Sequence, residues 1–231
     1  MKFHFRPALT AATLAALAVL CSLGAWQLQR LDWKKSLIAK TQARLALAPI
    51  SIEEALARAG AGEDMEYQPV FATGVYRSAG AAAVFTTHEG KAGMLVFAPF
   101  DLRDAVIFVN RGFVPQDLPE AAAQAAPPQA PVRVEGLLRR AEEKQGLERL
   151  LAPKDQPTDN LYFTRDPRLW AGGAASPFYI DSFGRENEGD WPKGGLTRVE
   201  FPNRHLEYAL TWFGLAGALV AVYLAFSLRR G

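Results

Sequence analysis

Cysteine is almost missing from this chain of 231 residues: there is one, Cys21, inside an apolar run. An intrachain disulfide is excluded, and so is a zinc or iron–sulfur site built on cysteines. A disulfide-free domain can still live in an oxidising compartment, so this scarcity does not locate the protein. Histidine is nearly as scarce, at His4, His88 and His205. Charge of one sign is not in excess, the net value being +2, and no basic stripe interleaved with aromatics is present. Nucleic acid is therefore not an expected partner. Also absent are GxSxG, HExxH, a Walker A loop and GxGxxG, and no two carboxylates stand in a recognisable acid–base arrangement. The residues give an enzyme no support.

What is there is apolar sequence in two long uncharged runs, Ala8 to Leu28 and Tyr208 to Leu228. Each suits a hydrocarbon core of roughly 30 Å, which takes about 20 residues of helix. The segment between them, 29–204, reads as one folded extramembrane domain. The expected architecture is a membrane protein in which two transmembrane helices flank an α+β, mainly antiparallel β domain, barrel- or sandwich-like, with both termini on one side. The first run has rival readings. Lys2 and Arg6 precede it and Ser22-Leu23-Gly24 resembles a signal-peptide cleavage site, but the run continues to Trp26 and Leu28, which favours an anchor. A lipoprotein site at Cys21 is disfavoured by Leu20. Positive charges are more numerous on the domain side, at Arg30, Lys34, Lys35, Lys40 and Arg44 and at Lys193, Arg198 and Arg204, than at Lys2, Arg6, Arg229 and Arg230. A bare count puts the domain in the cytoplasm, although that rule weakens for long translocated domains.

Between the runs, Gln29 to Leu47 continues the first helix until Pro49. Ser51-Ile52-Glu53-Glu54 is a capping box that predicts a short helix from Ile52 to Ala59. Strands are expected at Tyr67–Tyr76, Ala82–Thr87, Met94–Phe100 and Ala105–Asn110, with Asp101 to Asp104 as a hairpin turn. The last of these is expected to end in a turn at Asn110-Arg111-Gly112. The Ala-, Pro- and Gln-rich stretch from Asp117 to Pro131 and the stretch from Gly146 to Asn160 read as loops. Further strands are expected at Val132–Arg139, Phe178–Asp181 and Leu196–Phe201, and a short helix from Pro167 to Trp170 capped by Asp166. Short strands with few helices point to an antiparallel sheet or barrel.

Among the histidines, His4 reads as solvated tail and His88 as part of a surface turn. His205 stands at the mouth of the second apolar run. On a helix, Tyr208, Ala209 and Trp212 share its face. Two readings compete: an axial ligand for haem, whose ring takes apolar surface and whose propionates take cations, or an interfacial aromatic belt. Trp26, Arg30 and Trp33 share a face at the end of the first run, where Arg30 and Lys34 can meet propionates or, more commonly, lipid phosphates. Small residues at spacing four, Gly214 with Ala218 and Gly217 with Ala221 and Ala225, let another helix approach closely, either the first span or a helix of another protein.

Several motifs then occur together in order. Gly24-Ala25-Trp26-Gln27-Leu28-Gln29-Arg30-Leu31-Asp32-Trp33-Lys34 closes the first run. Tyr67 to Tyr76, Val109-Asn110-Arg111-Gly112-Phe113-Val114-Pro115 and Pro192-Lys193-Gly194-Gly195-Leu196-Thr197 follow. The series ends with Asn203-Arg204-His205-Leu206-Glu207-Tyr208-Ala209-Leu210-Thr211-Trp212-Phe213-Gly214-Leu215-Ala216. In these motifs, over nearly its whole length, the chain resembles the Surfeit locus protein 1 family of cytochrome c oxidase assembly factors. It departs from the family at Arg204, where members often carry asparagine, and at Leu196, where they often carry glutamine.

The resemblance implies a non-enzymatic role in building the haem A-containing oxidase. Haem A is then the expected, transiently bound cofactor, with His205 as iron ligand and Tyr208, Trp212, Arg30 and Trp26 around it. Asn110, Arg111 and Gly112 are the central family motif. Subunit I of the oxidase is the expected partner, with haem A synthase a further candidate and lipid a third. The resemblance also places the domain outside the cytoplasm, against the charge count. The first run starts close to Met1, leaving no room for a mitochondrial transit peptide, so the expected address is a bacterial inner membrane, with the domain periplasmic and both termini cytoplasmic. Three readings remain: a chaperone that holds haem A, a cofactor-free chaperone that stabilises an oxidase intermediate and, least favoured, a membrane-anchored enzyme.

Overall fold

The computed structural model describes residues 6–118, 126–144, 146–171, 173, 175–184, 191–195 and 203–228. The chain divides into two compact units, one formed by 1–42 with 200–231 and the other by 43–199.

The first unit is a pair of helices. Helix α1, Pro7–Leu45, runs unbroken for 39 residues, about 58 Å at the helical rise of 1.5 Å per residue. Its apolar run therefore continues as helix beyond the length a hydrocarbon core requires. The second helix of this unit is His205–Ser227, 23 residues. Both are long and apolar enough to cross a membrane. This second helix begins three residues earlier than the apolar run, so His205 is its first residue rather than a neighbour outside it.

The second unit is built on eight strands: β1 Ile50–Ser51, β2 Pro69–Tyr76, β3 Ala82–His88, β4 Lys91–Asp101, β5 Val106–Pro115, β6 Val132–Arg140, β7 Leu161–Tyr162 and β8 Phe178–Ser182. Following the pairings from β2 through β6, β8, β5 and β4 leads back to β2, so these strands close into a barrel. Closure depends on a divided edge of β4. Residues 91–97 pair with β3, whereas Phe100 and Asp101 pair with β2. Pro99, which has no N–H to donate, falls where the partners change. Pairing is mainly antiparallel, as expected, but β1–β2, β3–β7 and β5–β8 are parallel.

Period-two alternation separates two cores. Val70, Ala72, Phe100, Ile107, Val109, Val134, Leu138 and Ile180 form one, joined by Ile52 and Ala55 of helix α2, Ile52–Gly60. The intervening residues Phe97, Phe108 and Tyr179 form the other with Tyr162. Trp170 packs on this second cluster, 4.5 Å from Phe97 and 5.2 Å from Phe108 between ring centroids. Local signals behave as read from the sequence. Ser51 accepts from the Glu54 N–H to cap α2, and Leu102 N donates to Ala105 O in the expected hairpin. Asp166 caps the short helix Pro167–Trp170. Two expectations change. A short helix, α3 (Leu147–Leu151), and a 3-10 turn at Pro157–Asp159 occupy the stretch expected to be loop. We number Pro167–Trp170 α4 and His205–Ser227 α5. The strand expected at Leu196–Phe201 lies outside the described residues, as does His4.

The second change concerns Asn110-Arg111-Gly112, which is not a turn. Strand β5 continues through it to Pro115. Val96 of β4 pairs with Gly112 and Phe97 with Asn110, so Arg111 is the extra residue of a β-bulge. Gly112 has φ +126°, and a β-carbon there would collide with the Lys193 carbonyl. Backbone strain of this kind costs about 1–3 kcal/mol before any clash is added. Gly112→Ala is therefore expected to lose about 3 kcal/mol of stability or more, read as a lowered unfolding temperature in detergent. Gly146→Ala, at φ +57° with nothing near its β-carbon, should lose about 1 kcal/mol. Equal losses at the two positions would remove the bulge as the reason for glycine at 112.

Candidate functional site

Helix α5 carries His205, Ala209, Trp212 and Ala216 on one stripe, at spacings of four, three and four. Ala209 and Ala216 are buried and Trp212 is half-buried. Helix α1 meets α5 at three heights. The hydroxyls of Thr10 and Tyr223 lie 2.7 Å apart. A β-carbon on Gly24 would fall 2.6 Å from the Phe213 ring, so glycine at 24 admits that ring. Nδ1 of His205 lies 2.8 Å from Oε1 of Gln27. Partner positions fall along α1 as they rise along α5, so the pair is antiparallel. The glycines of the other stripe face elsewhere: apart from their own helix backbone, no atom lies within 4 Å of where a β-carbon on Gly214 or Gly217 would stand. Of the two partners considered for those glycines, α1 is not the one.

The residues selected from the sequence are thus distributed unevenly. His205 is held between the helices, with Trp212 on its stripe. Tyr208 is 54% exposed and Trp26 51% exposed. Arg30 is exposed, its guanidinium carbon 4.5 Å from the centroid of the Trp33 ring. The residue that His205 bonds is Gln27, which composition and spacing did not single out. The signal available was its position beside Trp26, where an apolar run acquires an amide.

In the β unit, the family motif forms a polar chain across β5, β8 and β6. Asn110 donates through Nδ2 to Asp181 Oδ1 at 2.8 Å. Its Oδ1 accepts the Gly112 N–H at 3.1 Å. Asp181 also faces Arg139 at 3.5 Å, and Arg139 bonds Glu66 at 2.7 Å. Burial acts to lower the pKa of Arg139, but its polar neighbours, with the hydrogen-bonded Glu66 carboxylate among them, outweigh burial and the net shift is upward. Burial also raises the Tyr179 phenol well above its ordinary value, against the pull of Arg139. Arg111 is buried, with its guanidinium carbon 5.3 Å from the Tyr76 ring centroid. A cleft of about 390 Å³ opens beside this chain, lined among others by Thr86, Thr87, His88, Asn110, Asp181 and Ser182. His88 stands before the expected tight turn, in which Glu89 and Gly90 both have positive φ. Its ring is half-buried, 5.5 Å from Phe113, and so is more than solvated surface. Among the described residues no group of three His, Cys, Asp or Glu is placed to hold a metal ion.

A family model described as the SURF1 family matches residues 14–217. This chain belongs to the SURF1 family. The SURF1-like protein of Monosiga brevicollis is 31% identical over 95% of this chain and 87% of its own length. Surfeit locus protein 1 of Homo sapiens is 31% identical over 85% of this chain and 70% of its own length, and that of Mus musculus 31% over 90% and 72%. The SURF1-family match includes Gln27, Asn110 to Gly112, His205 and Trp212.

Asn110→Ala removes a donor from buried Asp181 and the acceptor from Gly112 N–H. An unsatisfied buried group costs about 1–3 kcal/mol, more when charged, so a loss of about 2–3 kcal/mol in thermal or denaturant unfolding is expected. Arg133→Ala, which breaks an exposed pair with Glu135, should stay within about 1 kcal/mol. If the two variants unfold alike, the Asn110–Asp181 bond does not hold this region.

Proposed function

We propose that this chain takes part in cytochrome c oxidase assembly by holding haem A at the exit of its second span and passing it to the catalytic subunit. The observation that carries this reading is His205. It is the first residue of an apolar helix, fixed between two helices by one ring nitrogen, with half-buried Trp212 on its stripe and exposed Tyr208 and Trp26 on the same helix pair. These groups fit a haem: an imidazole offers an axial nitrogen, aromatic and aliphatic side chains offer apolar cover, and exposed Arg30 and Arg204 offer cations for propionates. When bound, the iron supplies the coordination that selects imidazole over other side chains. His205 would bind, Trp212 and Tyr208 would cover, and the arginines would orient by charge. In this reading the chain is an assembly factor rather than an enzyme, subunit I of the oxidase is the recipient, and haem A synthase is the donor.

A second reading is a cofactor-free chaperone that steadies an oxidase intermediate through its spans. The open face at Gly214 and Gly217 favours it, because small residues let another helix seat closely. In both readings the β unit lies on the periplasmic side of a bacterial inner membrane and both termini are cytoplasmic. Two spans and the family resemblance support this against the charge count.

Protein purified from cells that make haem A is expected to show a haem absorption spectrum. His205→Ala should remain folded and membrane-inserted but lose most of that absorption, and His88→Ala should keep it. Unchanged absorption in His205→Ala would move the ligand elsewhere and favour the aromatic-belt reading. Alkaline phosphatase fused near Gly146 should be active. An inactive fusion there, with an active cytoplasmic reporter at the same place, would invert the topology.

A further inference from the structure

We propose that Gln27 is the positioning residue that sets which nitrogen of His205 carries the proton, and so makes the ring able to ligate through Nε2. This inference rests on the haem reading for its purpose, but not for its chemistry.

A neutral imidazole has one N–H and one lone pair, on different nitrogens. A metal takes the lone pair, so the proton must sit on the other nitrogen, and the hydrogen bond made there decides the matter. His205 Nδ1 is 2.8 Å from Gln27 Oε1. An amide oxygen only accepts, so Nδ1 carries the proton and Nε2 keeps its lone pair. The opposite arrangement has the same heavy-atom outline and the opposite result. If the Gln27 amide were turned over, its NH2 would donate to Nδ1, the proton would move to Nε2, and the ring could not bind iron through Nε2. One amide orientation therefore separates a ligand from a non-ligand.

Placement supports a directed role. Gln27 lies one turn along α1 from Gly24, whose missing side chain admits Phe213, so close helix approach at that level brings the amide to the ring. The bond fixes the ring plane as well as its tautomer. Donation from Nδ1 also strengthens the ligand at Nε2, and loss of such outer partners typically costs about 10–100-fold in metal affinity. A neutral amide oxygen draws on the proton less than a carboxylate would. Glutamine thus gives ligation of intermediate strength, suited to a cofactor that must be released.

The test begins without haem. Full-length protein labelled with 15N-histidine, in detergent micelles, should show His205 with a protonated Nδ1 and an unprotonated Nε2, its signals identified by their loss in His205→Ala. A protonated Nε2 would overturn the proposal whatever the protein binds. Gln27→Leu should stay folded, lose that fixed tautomer, and bind haem about tenfold more weakly or worse. Gln27→Glu restores an acceptor. It should restore binding and lower the reduction potential of the bound haem below that of the unsubstituted protein. Gln27→Leu with unchanged affinity and spectrum would also overturn the proposal. If the unsubstituted protein binds no haem, the proposed function fails, while the 15N result still decides the tautomer.

Discussion

The β unit depends on one amide side chain. Asn110 donates to Asp181 across the parallel pairing of β5 with β8 and accepts from the backbone of Gly112, two residues on. Both bonds flank the extra residue that β5 carries while it remains a strand. Because the bulge is held, Arg111 turns onto the Tyr76 side of the barrel, and β5 changes partners. Residues 108–110 pair with β8, whereas Phe113 exchanges both backbone bonds with Lys193. The same two side chains, Asn110 and Asp181, line the cleft beside Thr86, Thr87 and His88. A bulge in an antiparallel pair normally bends the strand and redirects a side chain. Here the redirected side chain is a buried cation.

Much of the architecture was legible because its causes are local. Ser51 and Asp166 cap the helices that follow them, and the apolar run of α1 continues into a helix without a break. Two helices flanking a mainly antiparallel barrel were expected from runs and alternation. What escaped was non-local. Asn110 and Asp181 are 71 positions apart. Seen alone, Asn-Arg-Gly reads as a turn, since all three residues suit one, and only the partner strand makes it a bulge. Barrel closure through β4 and β2 and the two-residue strand β7 have no periodic signature of their own. Gln27 escaped for the same reason: beside Trp26 it reads as an interfacial residue until the helix that begins 178 positions later lies next to it.

The two units are held by different physics. Burial and strand pairing hold the barrel, with its two cores on either side of β5. Helices in lipid gain little from hydrophobic burial against each other, so close packing and polar contacts decide their pairing. The α1–α5 pair has both: a glycine that receives a phenylalanine ring, and hydrogen bonds between side chains that would otherwise face hydrocarbon or its edge. His205 thus belongs to the packing of the pair as much as to any ligand.

The Thr10–Tyr223 bond has a further consequence. It lies 18 residues along α5 from His205, about 27 Å at the helical rise. Two fixed points on one pair of rods remove both sliding and scissoring. A slip of α5 by one residue would rotate it by about 100° and break both bonds together. The depth and heading of the imidazole are therefore anchored from the opposite end of the hairpin, as the tip of a tuning fork is aligned by its stem.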